Sequence, residues 1–233
     1  GVRRHWQGIQ LGASVAWGWS GVLWVVRGAV LRAMQKRGPD VAWIVDVTGY
    51  PKKGKHSVGV ARQYCGQLGK QENCRVAVSL SVATWNSSLP ITYRLYLPEE
   101  WAKDAGRRET TGVPKEIQFQ TKPQIALNQI REAAEAKVAL GVVLADAGYG
   151  VDGQFRAGLT KLGLEYVVGV QSSMTVWEPG TEPLPAKPWK AQGRPTKLLR
   201  RDIQHKPVPV KQLAIALPPS ARKKVPWPHR WKP

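Results

Sequence analysis

The spacing of apolar residues changes along this chain, and each change marks an element. Residues 41–48 (V-A-W-I-V-D-V-T) form a short, nearly continuous apolar run rich in β-branched residues, the pattern of a buried strand. Gly49, Tyr50 and Pro51 are expected to end it, and residues 56–70 carry no clear period. Residues 75–85 alternate, with Val76, Val78, Leu80 and Val82 on one face. Asn86–Pro90 read as a turn and residues 91–97 alternate again, so the two segments predict an antiparallel hairpin. Residues 121–140 change to helical spacing: Ile125, Ile130, Ala133, Ala134 and Val138 make one stripe, Thr121 suits the N-cap, Pro123 suits the first turn and Gly141 ends the run. Residues 142–146 (V-V-L-A-D) read as a second buried strand, 152–162 as a short helix closed by Gly163, and 164–170 as a further strand.

The order is therefore a strand, a hairpin, a helix, a strand, a helix and a strand, which predicts an α/β domain. After Met174 the texture changes. Pro179, Pro183, Pro185, Pro188 and Pro195 break regular structure, and residues 207–217 hold at most a short strand or helix. The expected organisation is an atypical Trp-rich basic segment at 1–39, the α/β domain at 40–172, and a Pro-rich basic segment at 173–233.

Composition sharpens this picture. The chain has 233 residues and 42% hydrophobic positions, which excludes a fully disordered chain, and its two Cys exclude a disulfide-built scaffold. Its formal net charge of +19 favours a polyanionic partner, nucleic acid before membrane. That charge is uneven: residues 1–40 carry +5, residues 41–182 only +2, and residues 183–233 carry +12. The first segment holds Trp6, Trp17, Trp19 and Trp24 and no charged side chain between Arg4 and Arg27. Three readings of it stand: a membrane or signal segment, diluted by Gly8, Gly12, Gly18 and Gly21; a basic protein segment; or translation in a wrong frame.

Two glycine-rich stretches match phosphate-binding spacings only in part. Residues 49–55 (G-Y-P-K-K-G-K) follow a P-loop as far as its Lys, but His56 stands where a hydroxyl should hold magnesium, and Pro51 removes a backbone N–H. Residues 148–153 (G-Y-G-V-D-G) follow a strand as a dinucleotide fingerprint would, yet Gln171 and Ser172 stand where the next strand should end in an acid. The stronger pattern is Asp46 with Asp146. Each is the lone acid of an apolar strand run, read as lying at or near its C-terminal end. An ionised carboxylate there is costly to bury unless it is paired or binds a cation. Capping of the next turn explains Asp146 readily and Asp46 less well. On neighbouring strands the two would share hard divalent cations, Mg2+ or Mn2+, suited to phosphodiester cleavage.

The run W-I-V-D-V-T-G-Y-P-K-K-G-K-H-S-V-G-V-A-R-Q-Y-C-G-Q-L-G-K at residues 43–70, with L-A-D-A-G-Y-G at 144–150 and G-R-P-T-K at 193–197, resembles bacterial insertion-sequence transposases of the DDE superfamily over roughly residues 35–225. The resemblance implies a ribonuclease H-like mixed sheet flanked by helices, with the start of an inserted segment at the C-terminus. It also implies cleavage and joining of transposon-end DNA with Mg2+ (or Mn2+), in the bacterial cytoplasm at the nucleoid, without a membrane and with a possible homo-oligomer. Asp46 and Asp146 match the first two acids of the family's triad as catalytic and metal-binding residues. The third, a Glu on a late helix, has no counterpart in Glu165, Glu178, Glu182 or Asp202. The expectation is a truncated or frame-shifted transposase, inactive alone. The alternative is a non-catalytic basic DNA-binding protein that keeps the fold.

The DNA contacts expected are Lys52, Lys53 and Lys55, close enough in sequence to Asp46 to reach a phosphate near the metals, and a track of Lys190, Arg194, Lys197, Arg200 and Arg201 around Trp189. Arg107 and Arg108 read as a surface loop, Asp202 as a local ion pair, and Cys65 and Cys74 as reduced thiols without zinc spacing. Trp43, Trp85 and Trp101 read as core.

Overall fold

A computed structural model describes residues 28–34, 36, 38, 42–189 and 199–221. These residues fall into two compact units that divide between Gly169 and Val170. The first is built on a six-stranded mixed sheet: β1 (Ala42–Pro51), β2 (Ala61–Cys65), β3 (Lys70–Ala83), β4 (Ser88–Leu95), β5 (Val142–Ala145) and β6 (Tyr166–Val168). β3 lies antiparallel to β1 and carries both β2 and β4, while β5 and β6 continue from β1 in parallel. An antiparallel trio followed by parallel strands, flanked by helices, is the arrangement of a ribonuclease H-like fold, as the sequence pattern and the resemblance imply.

The alternation in β3 has its expected result. Val76, Val78, Leu80 and Val82 are fully buried, and Val78, Leu80 and Val82 join Trp43 and Val45 of β1 in the main core. Helix α3 (Lys122–Glu135) covers that face with Ile125, Ile130 and Ala133. Its start follows the local signals: Thr121 and Gln124 form a reciprocal capping box, with Pro123 in the first turn. α5 (Gly153–Lys161) adds Phe155 and Leu159 and is closed by Gly163 at φ +68°. Trp43 anchors the whole: its ring is 0% exposed and its Nε1–H donates to the Ala139 carbonyl at 2.9 Å.

Several boundaries differ from the sequence expectation. β1 does not stop at Gly49 but runs to Pro51, because Tyr50 and Pro51 pair with Arg75 and Cys74 of β3. Residues without a clear period form β2 and a 3-10 turn at Gly66–Leu68, and Pro90 lies inside β4 beside a register shift rather than in the turn. α3 ends at Glu135, not Gly141. Lys137 turns the chain with φ 55°, and Val138 reaches the core from that turn. Helices α1 (Glu99–Lys103) and α2 (Ala105–Thr110) were not anticipated. They close a second core of Val58, Val60, Leu97, Trp101 and Val113. Arg107 and Arg108 therefore lie in a helix, not a loop. Arg107 stacks on the Trp101 ring at 3.7 Å, and Arg108 donates to the carbonyls of Ala102, Pro114, Lys115 and Ile117. Trp101 is core as expected, but Trp85 is 83% exposed in the β3–β4 turn.

Among the described residues, the second unit contains a two-stranded sheet of β7 (Thr175–Val176) and β8 (Val208–Pro209), an α-helix, α6 (Val210–Ala216), and a 3-10 turn at Pro219–Ala221, so residues 207–217 form a strand and a helix together. The Trp-rich start at residues 1–27 lies outside the described residues, and among those described no helix is long and apolar enough to cross a membrane.

Trp43→Ala is expected to destabilise the protein by about 3–5 kcal/mol. Urea denaturation followed by circular dichroism checks this; an unchanged midpoint would remove Trp43 from its anchoring role.

Candidate functional site

The two aspartates meet because β1 and β5 pair in parallel register. Val45 is the partner of Ala145, the last pair before each acid. The next residues, Asp46 and Asp146, therefore stand at one level on neighbouring strands, with backbones about 5 Å apart. Asp46 is not at the end of its strand but in its middle. It is exposed because β5 stops at Ala145, while Asp46–Pro51 continue alongside β3. Both carboxylates are exposed, so the burial cost inferred from their apolar neighbours is not incurred.

Each carboxylate has a local hydrogen bond. Asp46 Oδ1 accepts from the Val47 N–H at 2.7 Å. Asp146 Oδ1 accepts from the Gly148 N–H at 2.8 Å and so caps α4 (Ala147–Gly150), the turn-capping role anticipated for it. Capping occupies one oxygen and leaves the second for another partner. The turn is held tightly: a Cβ on Gly150 would collide with the Gly169 carbonyl, and the Arg156 guanidinium donates to the Gly150 carbonyl.

Tyr149 of α4 lies in the main core with its ring 5.7 Å from that of Phe155. It is 2% exposed, and its hydroxyl has no hydrogen-bond partner. Burial pushes the phenol well above its ordinary pKa, and the charges of Asp146 and Asp46 push it further in the same direction. Both carboxylates thus act on one buried hydroxyl, which the sequence reading did not single out.

Two partly buried cations were also overlooked, Lys122 within the field of Asp146 and Arg75 farther along the Asp46 face. Lys122, at the start of α3, lies over the Tyr96 ring at 5.2 Å. Burial holds its ammonium below the ordinary range, against the pull of Cys74 and Asp146. Arg75 pairs with Tyr50 two strand repeats from the Asp46–Ser79 pair, which puts it on the Asp46 face of the sheet. Its half-buried guanidinium is lowered in pKa chiefly by burial, and its buried Nε has no partner. Tyr93 occupies the same row, opposite Ser79. Arg75 stands at the polar edge of the apolar run of β3, whereas Asp46 interrupts that of β1, so no break in pattern marks Arg75.

The other candidates are distributed differently. About 17 Å of strand separates Asp46 from Pro51. Lys52, Lys53 and Lys55 therefore stand beyond the end of β1 that lies away from the Asp46 pairing. Asn73 clamps their loop through the carbonyls of Lys52 and Gly54. Arg200 and Arg201 are exposed in the second unit, with Arg200 bonded to the Pro185 carbonyl, while Lys190, Arg194 and Lys197 lie outside the described residues. Asp202 pairs with His205 at 2.9 Å, and that hydrogen bond first of all lowers its pKa. Cys65 and Cys74 are buried free thiols; burial and the neighbouring Cys65 push Cys74 up to about 11. Among the described residues, no group of three His, Cys, Asp or Glu side chains stands ready for a metal ion. The Asp46–Asp146 pair offers two oxygen ligands, a set that suits a hard divalent cation completed by water.

The family model of DDE superfamily endonucleases matches residues 3–233. The match takes in the Trp-rich start and the basic tail, beyond the 35–225 over which the resemblance was read. A curated relative from Microchaete diplosiphon, described as a probable transposase for insertion sequence element IS701, is 33% identical over 138 residues. That alignment covers 59% of this chain and 33% of the relative, so the chain spans about a third of the relative's length. No solved structure matches.

Gly150→Ala is expected to force the Asp146 turn away from β6 and to cost about 1–3 kcal/mol, as overpacking does. Thermal unfolding measures it; an unshifted Tm would mean that the turn accommodates a side chain.

Proposed function

The chain belongs to the DDE superfamily endonucleases, and on that premise we propose that Asp46 and Asp146 are its cation-binding carboxylates in insertion-sequence transposition. The observation that carries this reading is the parallel register that stops both strands' pairing at these two acids. A bound Mg2+ or Mn2+ would supply Lewis-acid stabilisation of a phosphodiester undergoing cleavage or strand transfer. The residues of the chain do the rest. Asp46 and Asp146 hold the cation, the capping bond to Gly148 fixes the Asp146 carboxylate, and Arg75 meets a phosphate along the same face. The loop bearing Lys52, Lys53 and Lys55 and the basic track with Arg200 and Arg201 hold other phosphates, where they add affinity without reading sequence.

The proposal extends to the domain plan of 1–39, 40–172 and 173–233 and to inactivity of this chain by itself. Cleavage by the family's chemistry uses a third carboxylate, and the described residues bring no third acid to the pair. That same observation favours, as the second reading, a non-catalytic DNA-binding protein that retains the fold.

Supercoiled-plasmid nicking in Mg2+ and in Mn2+ tests this directly. The chain alone is expected to leave the plasmid closed; robust nicking that disappears in Asp46→Ala would overturn the inactivity. Calorimetric Mn2+ titration separates the two readings: binding that is lost in Asp46→Asn and in Asp146→Asn supports the carboxylate site, and no binding by the wild-type chain supports the second.

Arg75→Gln is expected to weaken duplex binding uniformly across sequences and to lower the slope of log K against log salt by about 1. Fluorescence anisotropy at several salt concentrations reads it, and an unchanged slope would remove Arg75 from the DNA face.

A further inference from the structure

We propose that the groove between α3 and the start of α5 holds one unpaired nucleotide of a DNA strand and selects a base that carries an exocyclic amino group. The inference goes beyond the carboxylate reading and rests on it only in taking DNA as the substrate.

The groove encloses about 410 Å³, a volume that ligand sites ordinarily have. Phe119, Gln120, Gln124, Asn128, Arg131 and Asp152 are among the residues that line it. Three of these side chains are held at one end by the fold. The Thr121 N–H donates to Gln124 Oε1 at 2.8 Å, and the Arg131 guanidinium donates to Asn128 Oδ1 at 2.9 Å. The Phe155 N–H donates to Asp152 Oδ1 at 2.8 Å. Each bond fixes one end of its side chain and leaves the other unspent: the amide NH2 of Gln124, that of Asn128, and the second carboxylate oxygen of Asp152. Gln120 lines the same groove, and its buried Oε1 has no partner.

The two walls thus differ in chemistry. Gln124, Asn128 and Arg131 recur at helical spacing along one stripe of α3, and what they have left to offer is donors. A phosphate is the acceptor that such a stripe suits, and Asn and Gln serve phosphates as Arg does. The opposite wall offers the anionic oxygen of Asp152, which accepts and never donates. A phosphate is repelled there, whereas the amino group of cytosine or adenine is welcome. Phe119, 36% exposed, supplies an aromatic surface on which a base stacks. A nucleotide is the ligand that carries a phosphate, a flat ring and an amino group together. Thymine has the same size and charge as cytosine but presents a carbonyl oxygen where cytosine presents its amino group, so it meets the carboxylate with the wrong sign.

The test measures binding of fluorescently labelled single-stranded oligo-dC and oligo-dT of equal length to the whole chain, by anisotropy in EDTA so that no cation at Asp46 and Asp146 enters. Wild type is expected to hold oligo-dC about 10-fold more tightly. Asp152→Asn keeps the α5 cap, which Asn serves as well as Asp, and replaces the free acceptor with a donor. That variant is expected to melt as wild type does and to bind oligo-dT at least as tightly as oligo-dC. Arg131→Gln is expected to weaken both oligonucleotides alike and to lower the slope of log K against log salt by about 0.7. Equal affinity of wild type for the two oligonucleotides, or a preference unchanged in Asp152→Asn, would overturn the base site. An unmoved slope in Arg131→Gln would overturn the placement of the phosphate. Asp46→Asn is expected to keep the oligo-dC preference, so failure of the carboxylate reading is told apart from failure of this one.

Discussion

Everything at this site depends on β1 being longer than its parallel neighbour. β5 ends at Ala145, and beyond Val45 the β5 side of β1 loses its partner while β3 continues on the other side. The end of the pairing exposes Asp46 in mid-strand and delivers Asp146 at the same level as the chain turns into α4. A parallel sheet buried on both faces has no place for a carboxylate along its paired length. At the point where pairing stops, both acids are exposed to solvent. Two like charges about one strand spacing apart are tolerated there because neither has left solvent.

The turn that follows is constrained as firmly as the strands are. Asp146 caps it, Gly150 and Gly169 approach without room for a side chain, and Arg156 holds the Gly150 carbonyl. Capping and cation binding do not compete, because a carboxylate has two oxygens and the cap uses one. The tyrosine enclosed by this turn bears the remaining tension. An unpaired buried hydroxyl costs about 1–3 kcal/mol, a cost that the rest of the core offsets.

Much of this was legible wherever local pattern decides the outcome. The alternation of Val76, Val78, Leu80 and Val82, the Thr121 cap, the Gly163 stop and the two lone acids all carry their meaning within a few residues. Several misreadings share one physical cause: a distant partner overrode the local signal. Gly49–Pro51 look like a turn but are held in β1 by Arg75 and Cys74, and Asn73 extends the clamp to the carbonyls of Lys52 and Gly54. Helix α3 stops six residues before Gly141 because Lys137 adopts a left-handed turn without glycine. Helices α1 and α2 lack an amphipathic stripe of useful length. They stand because Trp101 reaches the Val60 carbonyl and Arg108 gathers four carbonyls from the loops around it. Trp85 had no such partner and stayed in solvent.

The same distinction changes what a net charge of +19 means. A basic residue is available to a phosphate only if the fold has not already used it. Arg108 donates to four carbonyls, and Arg107 covers Trp101 and reaches the Lys55 carbonyl, so both are already engaged by the fold. Arg75 sits in a segment that is nearly neutral overall, yet its half-buried guanidinium faces the side of the sheet that carries Asp46 and leaves its buried Nε unpaired. Partial burial reduces screening by salt and weakens competition from water, so one such cation contributes more to holding a phosphate than several solvated lysines do. Charge counts locate the basic ends of this chain; hydrogen-bond accounting separates the cations the fold has used from Arg75, whose buried Nε stays unpaired.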